Sequence, residues 1–97
     1  MLEKTIILKN FDAVKKFVDI ANQKPYDIEL ISGKYVINAK SIMGVFSLDL
    51  TKPLVMVAHT DSYVELLKQT APFHYEPQPK DRKKYDRPVF KNSPKAY

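Results

Sequence analysis

Cysteine is missing from this 97-residue chain. That excludes disulfide staples, thiolate metal sites and a cysteine nucleophile. The two histidines, His59 and His74, leave little material for a histidine-based zinc site. No apolar run approaches the ~20 residues that span a bilayer. The opening residues, MLEKTIILKN, are charged too early for a secretory signal. A glycine-rich phosphate loop, a paired-carboxylate site and a catalytic triad are also absent. These absences predict a cytoplasmic protein that is not an enzyme, takes no metal or cofactor, and does not cross a membrane.

What is present suits one small domain. A hydrophobic content of 44% is enough for a single modest core. The net charge of +5 is uneven, because seven basic residues and three acidic ones lie from Tyr75 onward. Five of the seven prolines lie at or beyond Pro72. The composition therefore predicts a folded domain over residues 1–72 and a basic, proline-rich tail over residues 73–97, extended or disordered.

Periodicity places the elements. The aliphatic run KTIILKN, residues 4–10, reads as a buried first strand. Phe11, Val14, Phe17, Val18 and Ala21 then recur at helical spacing, with Lys15, Lys16 and Asp19 opposite. Asn10 or Asp12 can cap that helix, and Pro25 closes it. Tyr26, Ile28 and Leu30 alternate with Asp27 and Glu29, as in a half-buried strand, and a turn at Gly33 leads into YVINA. SIMGVFSLDL reads as a short helix with Val45 and Leu48 on its core side. LVMVAH is a fourth strand, and TDSYVELLKQ a helix capped by Thr60 or Asp61. The order β-α-β-β-α-β-α predicts an α+β open-faced sandwich, a four-stranded antiparallel sheet with three helices on one face.

The stretch KSIMGVFSLDL, residues 40–50, carries the family signal. It closely resembles the central helix of the HPr-like phosphocarrier proteins of the bacterial sugar phosphotransferase system, in which K-S-I-M-G-V-[MF]-S-L recurs. The resemblance extends over the element order of residues 4–70. At residue level it is specific for residues 40–50 and, weakly, for the SGK turn before the third strand.

That family uses two phosphorylation sites. One is a histidine in a G-x-H-A-R-P-A motif at the start of the first helix, where free N–H groups and the helix dipole stabilise a phosphoryl group. The other is the serine that opens the central helix, phosphorylated for regulation in many Gram-positive bacteria. This sequence keeps the serine as Ser41 and lacks the histidine motif, reading LKNFDAVKK in its place. Asn10 cannot form a phosphoramidate, and Asp12, near the arginine's position, would repel a phosphoryl group. His59 is the candidate substitute, set against its plainer reading as a partly solvated histidine at a strand end. It ends the fourth strand, which the resemblance sets antiparallel to the first, and is expected at the sheet edge opposite that strand's end. His74, among Pro72, Phe73 and Tyr75, reads as a loop residue without a role.

Ser41 is a favoured helix cap whether or not it is modified. A phosphate there would meet the positive helix end, with Lys40 as a ready neighbour. The resemblance implies that the apolar residues of this helix, here Ile42, Met43 and Phe46, form a docking surface for partner proteins, with Lys40 beside them; the alternative is that all three are buried. The expected partner is a phosphotransferase system enzyme, a serine kinase or a regulator. The leading expectation is thus a non-catalytic docking protein, regulated through Ser41. The alternative is a repurposed scaffold whose tail binds nucleic acid or a larger assembly through Lys80, Arg82, Lys83, Lys84, Tyr85 and Arg87, where cations interleave with aromatics. A third reading is an active phosphocarrier that uses an unusual residue.

Overall fold

The aliphatic run at the start of the chain forms the strand it predicts, but the strand is shorter. In the computed structural model, which describes residues 1–75, β1 covers Leu2–Ile6. It pairs antiparallel with β4, Leu54–Ala58, from Leu2↔Ala58 to Ile6↔Leu54. Pro53 has no N–H to donate, so β4 begins just after it and β1 runs out of partner at Ile6 rather than at residue 10.

Helix α1 spans Phe11–Asn22, and the Asn10 side chain accepts a hydrogen bond from the Ala13 N–H at 2.8 Å. Asn10, not Asp12, is therefore the cap. Val14, Phe17, Val18 and Ala21 are buried as their spacing predicts. Phe11 departs from that stripe, being 58% exposed because the first turn carries it clear of the core.

Strands β2, Ile28–Ser32, and β3, Tyr35–Asn38, form a hairpin across Gly33 and Lys34. Gly33 has φ 59, the left-handed region that favours glycine. Helix α2 covers Ile42–Phe46 and α3 covers Val64–Thr70. Neither Thr60 nor Asp61 caps α3. Thr60 Oγ1 accepts from the Ser62 N–H at 3.0 Å, and Asp61 meets the N-terminal amine at 3.2 Å. The helix therefore starts later, after Tyr63, with no side-chain cap.

The sheet order is β1-β4-β2-β3, with every pairing antiparallel. The fold is the expected α+β open-faced sandwich, a four-stranded antiparallel sheet with three helices. Ile6, Leu30, Leu54 and Met56 from the sheet share one core with Val14 and Phe17 of α1, Val45 of α2 and Leu66 of α3.

The chain does not leave the fold at residue 72. A 3₁₀ turn, Ala71–Phe73, buries Phe73 edge-on against Phe17, with ring centroids 6.1 Å apart. The Ile7 N–H donates to the Phe73 carbonyl at 2.8 Å and the Tyr75 N–H to the Thr5 carbonyl at 3.1 Å, with His74 opposite Ile6. Residues 73–75 thus form a strap along the outer edge of β1, and the division expected after residue 72 falls inside the 3₁₀ turn that leads into it. His74, read as a loop residue, belongs to this strap, with Nε2 3.0 Å from Thr70 Oγ1.

Candidate functional site

Helix α2 is so short that its cap decides whether it forms. Ser41 is extended (φ −98, ψ 108), and its Oγ accepts from the Gly44 N–H at 3.1 Å. A Cβ on residue 44 would stand 3.2 Å from that Oγ, so glycine keeps the close approach open. Val45 points into the core and Leu48 packs against it, as predicted. The opposite side is left outward: Met43 is 77% exposed, and Ile42 and Phe46 are 37% exposed each. Ile42 and Phe46 are one helical turn apart and share a face.

That side is extended by a residue that the sequence reading assigned to the core. The Phe11 ring stacks on the Phe46 ring, with centroids 5.3 Å apart and planes 13° from parallel. Lys15 Nζ lies 5.5 Å from the centroid of Phe11, within cation–π range. The start of α1 and the end of α2 therefore build an aromatic ledge, continued along α2 by Ile42 and Met43. No local pattern could reveal Phe11 as its partner, because the contact joins two helices distant in sequence.

Lys40 lies elsewhere. Its Nζ donates to the Lys24 carbonyl at 2.8 Å, and its own carbonyl accepts from Asn22 Nδ2 at 3.1 Å. Both partners lie at the C-terminal end of α1, whereas Phe46 meets Phe11 at the N-terminal end. Helix α2 thus runs back along α1, with Ser41 and Lys40 at one end and the aromatic ledge at the other. Lys40 ties loop to helix and does not present its charge beside the ledge.

The N-terminus of α1 carries Asn10, Phe11 and Asp12, with the Asn10 amide oxygen occupied as a cap. His59 is not near it. The end of β4 opposes the beginning of β1, through Leu2↔Ala58, so His59 sits at the other end of the sheet from Asn10. There its Nε2 lies 3.1 Å from Glu29 Oε1, and its main-chain N–H donates to the Asp27 carbonyl at 2.9 Å. The expectation that His59 could replace the missing acceptor is corrected by this register.

After α2, Asp49 Oδ1 accepts from the Thr51 hydroxyl at 2.6 Å and from its N–H at 3.1 Å. These bonds hold the Asp49 carboxyl below the ordinary carboxylate range, with Lys52 a smaller contributor. Among the described residues, no group of three His, Cys, Asp or Glu is placed to hold a metal ion, and no helix is long and apolar enough to cross a membrane. The tail candidates Lys80, Arg82, Lys83, Lys84, Tyr85 and Arg87 lie outside the described residues.

No protein-family model matches the chain. No curated protein matches it in sequence. Among solved structures, it is similar to the crystal structure of HPr-C-His from Thermoanaerobacter tengcongensis. The likeness has a TM-score of 0.63 at 29% sequence identity and covers 74% of this chain and 89% of that one. The fold is therefore HPr-like.

Proposed function

We propose that this protein is a non-catalytic, HPr-like docking protein that engages an enzyme or regulator of the sugar phosphotransferase system through α2 and the start of α1. The observation that carries this reading is the aromatic ledge. Phe11 stacks on Phe46 beside an outward Met43, at a helix start that offers Asn10 where a carrier would offer an imidazole. Exposed aromatics and methionine clustered on two neighbouring helices are costly to leave in water unless something covers them. Methionine also adapts to the shape of a partner. The solved HPr structure supports the choice of system, because it has the same fold at 29% identity.

Ser41 supplies the regulation in this reading. Its hydroxyl already meets the Gly44 N–H, so a phosphate there would keep an acceptor at the helix start and add about −1.5 to −2 charge next to Ile42 and Met43. Docking would then change while the fold stayed intact.

Phosphoryl transfer tests the non-catalytic half of the reading. Purified protein is incubated with phosphoenolpyruvate and the phosphoenolpyruvate-dependent enzyme of the system, and its intact mass is followed before and after mild acid. No acid-labile phosphate is expected. Stoichiometric labelling would overturn the reading and make the chain a carrier.

A further inference from the structure

The two edges of the sheet are finished differently. The outer edge of β1 is covered by the 73–75 strap, through Ile7 N–H to the Phe73 carbonyl and Tyr75 N–H to the Thr5 carbonyl. The outer edge of β3 has no strand beside it among the described residues. The Ala39 N–H donates to the Ile28 carbonyl at 2.8 Å, which fixes the alternation of the β2–β3 ladder. Tyr35 and Ile37 turn their main-chain groups toward β2. The Val36 N–H and carbonyl and the Asn38 N–H point outward, while the Asn38 carbonyl is taken by the Ser41 N–H at 3.0 Å.

Natural edge strands are commonly blunted by proline, a bulge or a charge within the strand. Strand β3 reads Tyr-Val-Ile-Asn and has none of these, and its Tyr35 and Val36 side chains are 68% and 55% exposed. A depression also flanks this edge on each face of the sheet. On the helix side, Tyr35, Ile37 and Leu48 form apolar walls, and Lys52 meets Asp49 at 3.9 Å on the rim. On the open side, the depression beside Val36 and Asn38 is lined by Asp27 and Glu29, with no cation among its lining residues. Glu29 also meets His59, which leaves Asp27 the more open of the two carboxylates.

We propose that the β3 edge is a docking site for an extended peptide strand of alternating apolar and basic residues. Main-chain bonds to Val36 and Asn38 hold such a strand. Its alternate side chains fall on opposite faces, so the apolar set enters the cleft beside Tyr35 and Leu48 while the basic set meets Asp27 and Glu29. Strand addition of this kind takes affinity from the backbone and selectivity from the flanking depressions. The surface is separate from the Phe11–Phe46 ledge, and the proposal stands whether or not the ledge docks a phosphotransferase partner.

The test uses the full chain and a blocked hexapeptide of alternating valine and lysine, with the same peptide carrying glutamate for lysine as its counterpart. Amide shifts and hydrogen exchange are followed by NMR at neutral pH. The lysine peptide is expected to bind with a dissociation constant on the order of 1 mM or tighter and to protect the Val36 and Asn38 amides. The glutamate peptide is expected to bind at least about threefold more weakly. Val36→Pro removes an outward donor that β2 does not use, and should abolish protection at Asn38. If that variant misfolds, Asp27→Asn decides the matter by weakening the lysine peptide selectively. No binding at millimolar peptide, equal binding of the two peptides, or shifts centred on Phe11 and Phe46 would overturn the proposal. So would concentration-dependent shifts at β3 without peptide, since the occupant would then be a second copy of the chain.

Discussion

Phe46 stacks on Phe11 in near-parallel contact, 5.3 Å between centroids, with Phe11 58% and Phe46 37% exposed. A ring in this position contributes through stacking and partial burial, about 0.5–1.5 kcal/mol beyond its area. Phe46→Ala should therefore lower stability by roughly 1–2 kcal/mol, short of the ~3–5 kcal/mol for a buried phenylalanine. Phe11→Ala should cost less, and the two losses should be less than additive, because each removes the same contact. Urea unfolding of the two single variants and the double variant measures this. A Phe46→Ala loss as large as that of a core residue would mean that the ledge is scaffold rather than surface.

Ser41 gives a second expectation. Its Oγ accepts the Gly44 N–H, so Ser41→Ala should cost about 1 kcal/mol. Ser41→Asp keeps an acceptor at the cap and should stay within about 0.5 kcal/mol of the parent. Thermal melts of the pair separate capping from charge. Strong destabilisation by aspartate would remove the basis for phosphate at this position.

The 73–75 strap predicts where the chain can be shortened. Phe73 is buried on Phe17 and its carbonyl is bonded to Ile7, so Phe73→Ala should cost ~3–5 kcal/mol. Truncation after Tyr75 keeps every one of these contacts and should lower the melting temperature much less than a cut upstream of Phe73. Truncation after Thr70 should lower it sharply and release the Ile7 amide to exchange. Equal melting temperatures for the two truncations would contradict the strap.

The Asp49–Thr51 contact makes a pH-dependent prediction. Thr51 donates twice to the carboxylate and so lowers the folded-state pKa of Asp49. A lowered folded pKa contributes stability that is present above the unfolded value and lost as pH falls through the folded one. Thr51→Ala should raise the Asp49 pKa toward its ordinary 3.8 when followed by carbon NMR. Its destabilisation should be full at neutral pH and should shrink in acid. A Thr51→Ala penalty independent of pH would show that the hydroxyl acts through packing instead.

Element order and the core stripe of α1 were legible in the sequence because both rest on local periodicity, which the hydrophobic core enforces. Ser41 was legible as a cap for the same reason, since the chemistry lies within three residues. Phe11 was misread because spacing alone cannot show that the first turn of α1 projects beyond the core. The strap was hidden because the backbone bonds that hold residues 73–75 leave no pattern, and their aromatics, just after Pro72, resemble the tail that follows. His59 was misplaced by an end-to-end error: in an antiparallel pair the end of β4 meets the start of β1, and only the Leu2↔Ala58 register makes that concrete. Lys40 looked like a free cation because nothing in the sequence reveals its bond to the Lys24 carbonyl.

Titration of isotopically labelled protein with the phosphoenolpyruvate-dependent enzyme of the sugar phosphotransferase system, read by amide NMR, tests the docking claim most directly. The account predicts perturbations concentrated at Phe11, Ile42, Met43 and Phe46, reduced by Met43→Ala without loss of fold. An absence of perturbation at saturating enzyme, or a footprint centred on His59 at the far end of the sheet, would contradict it.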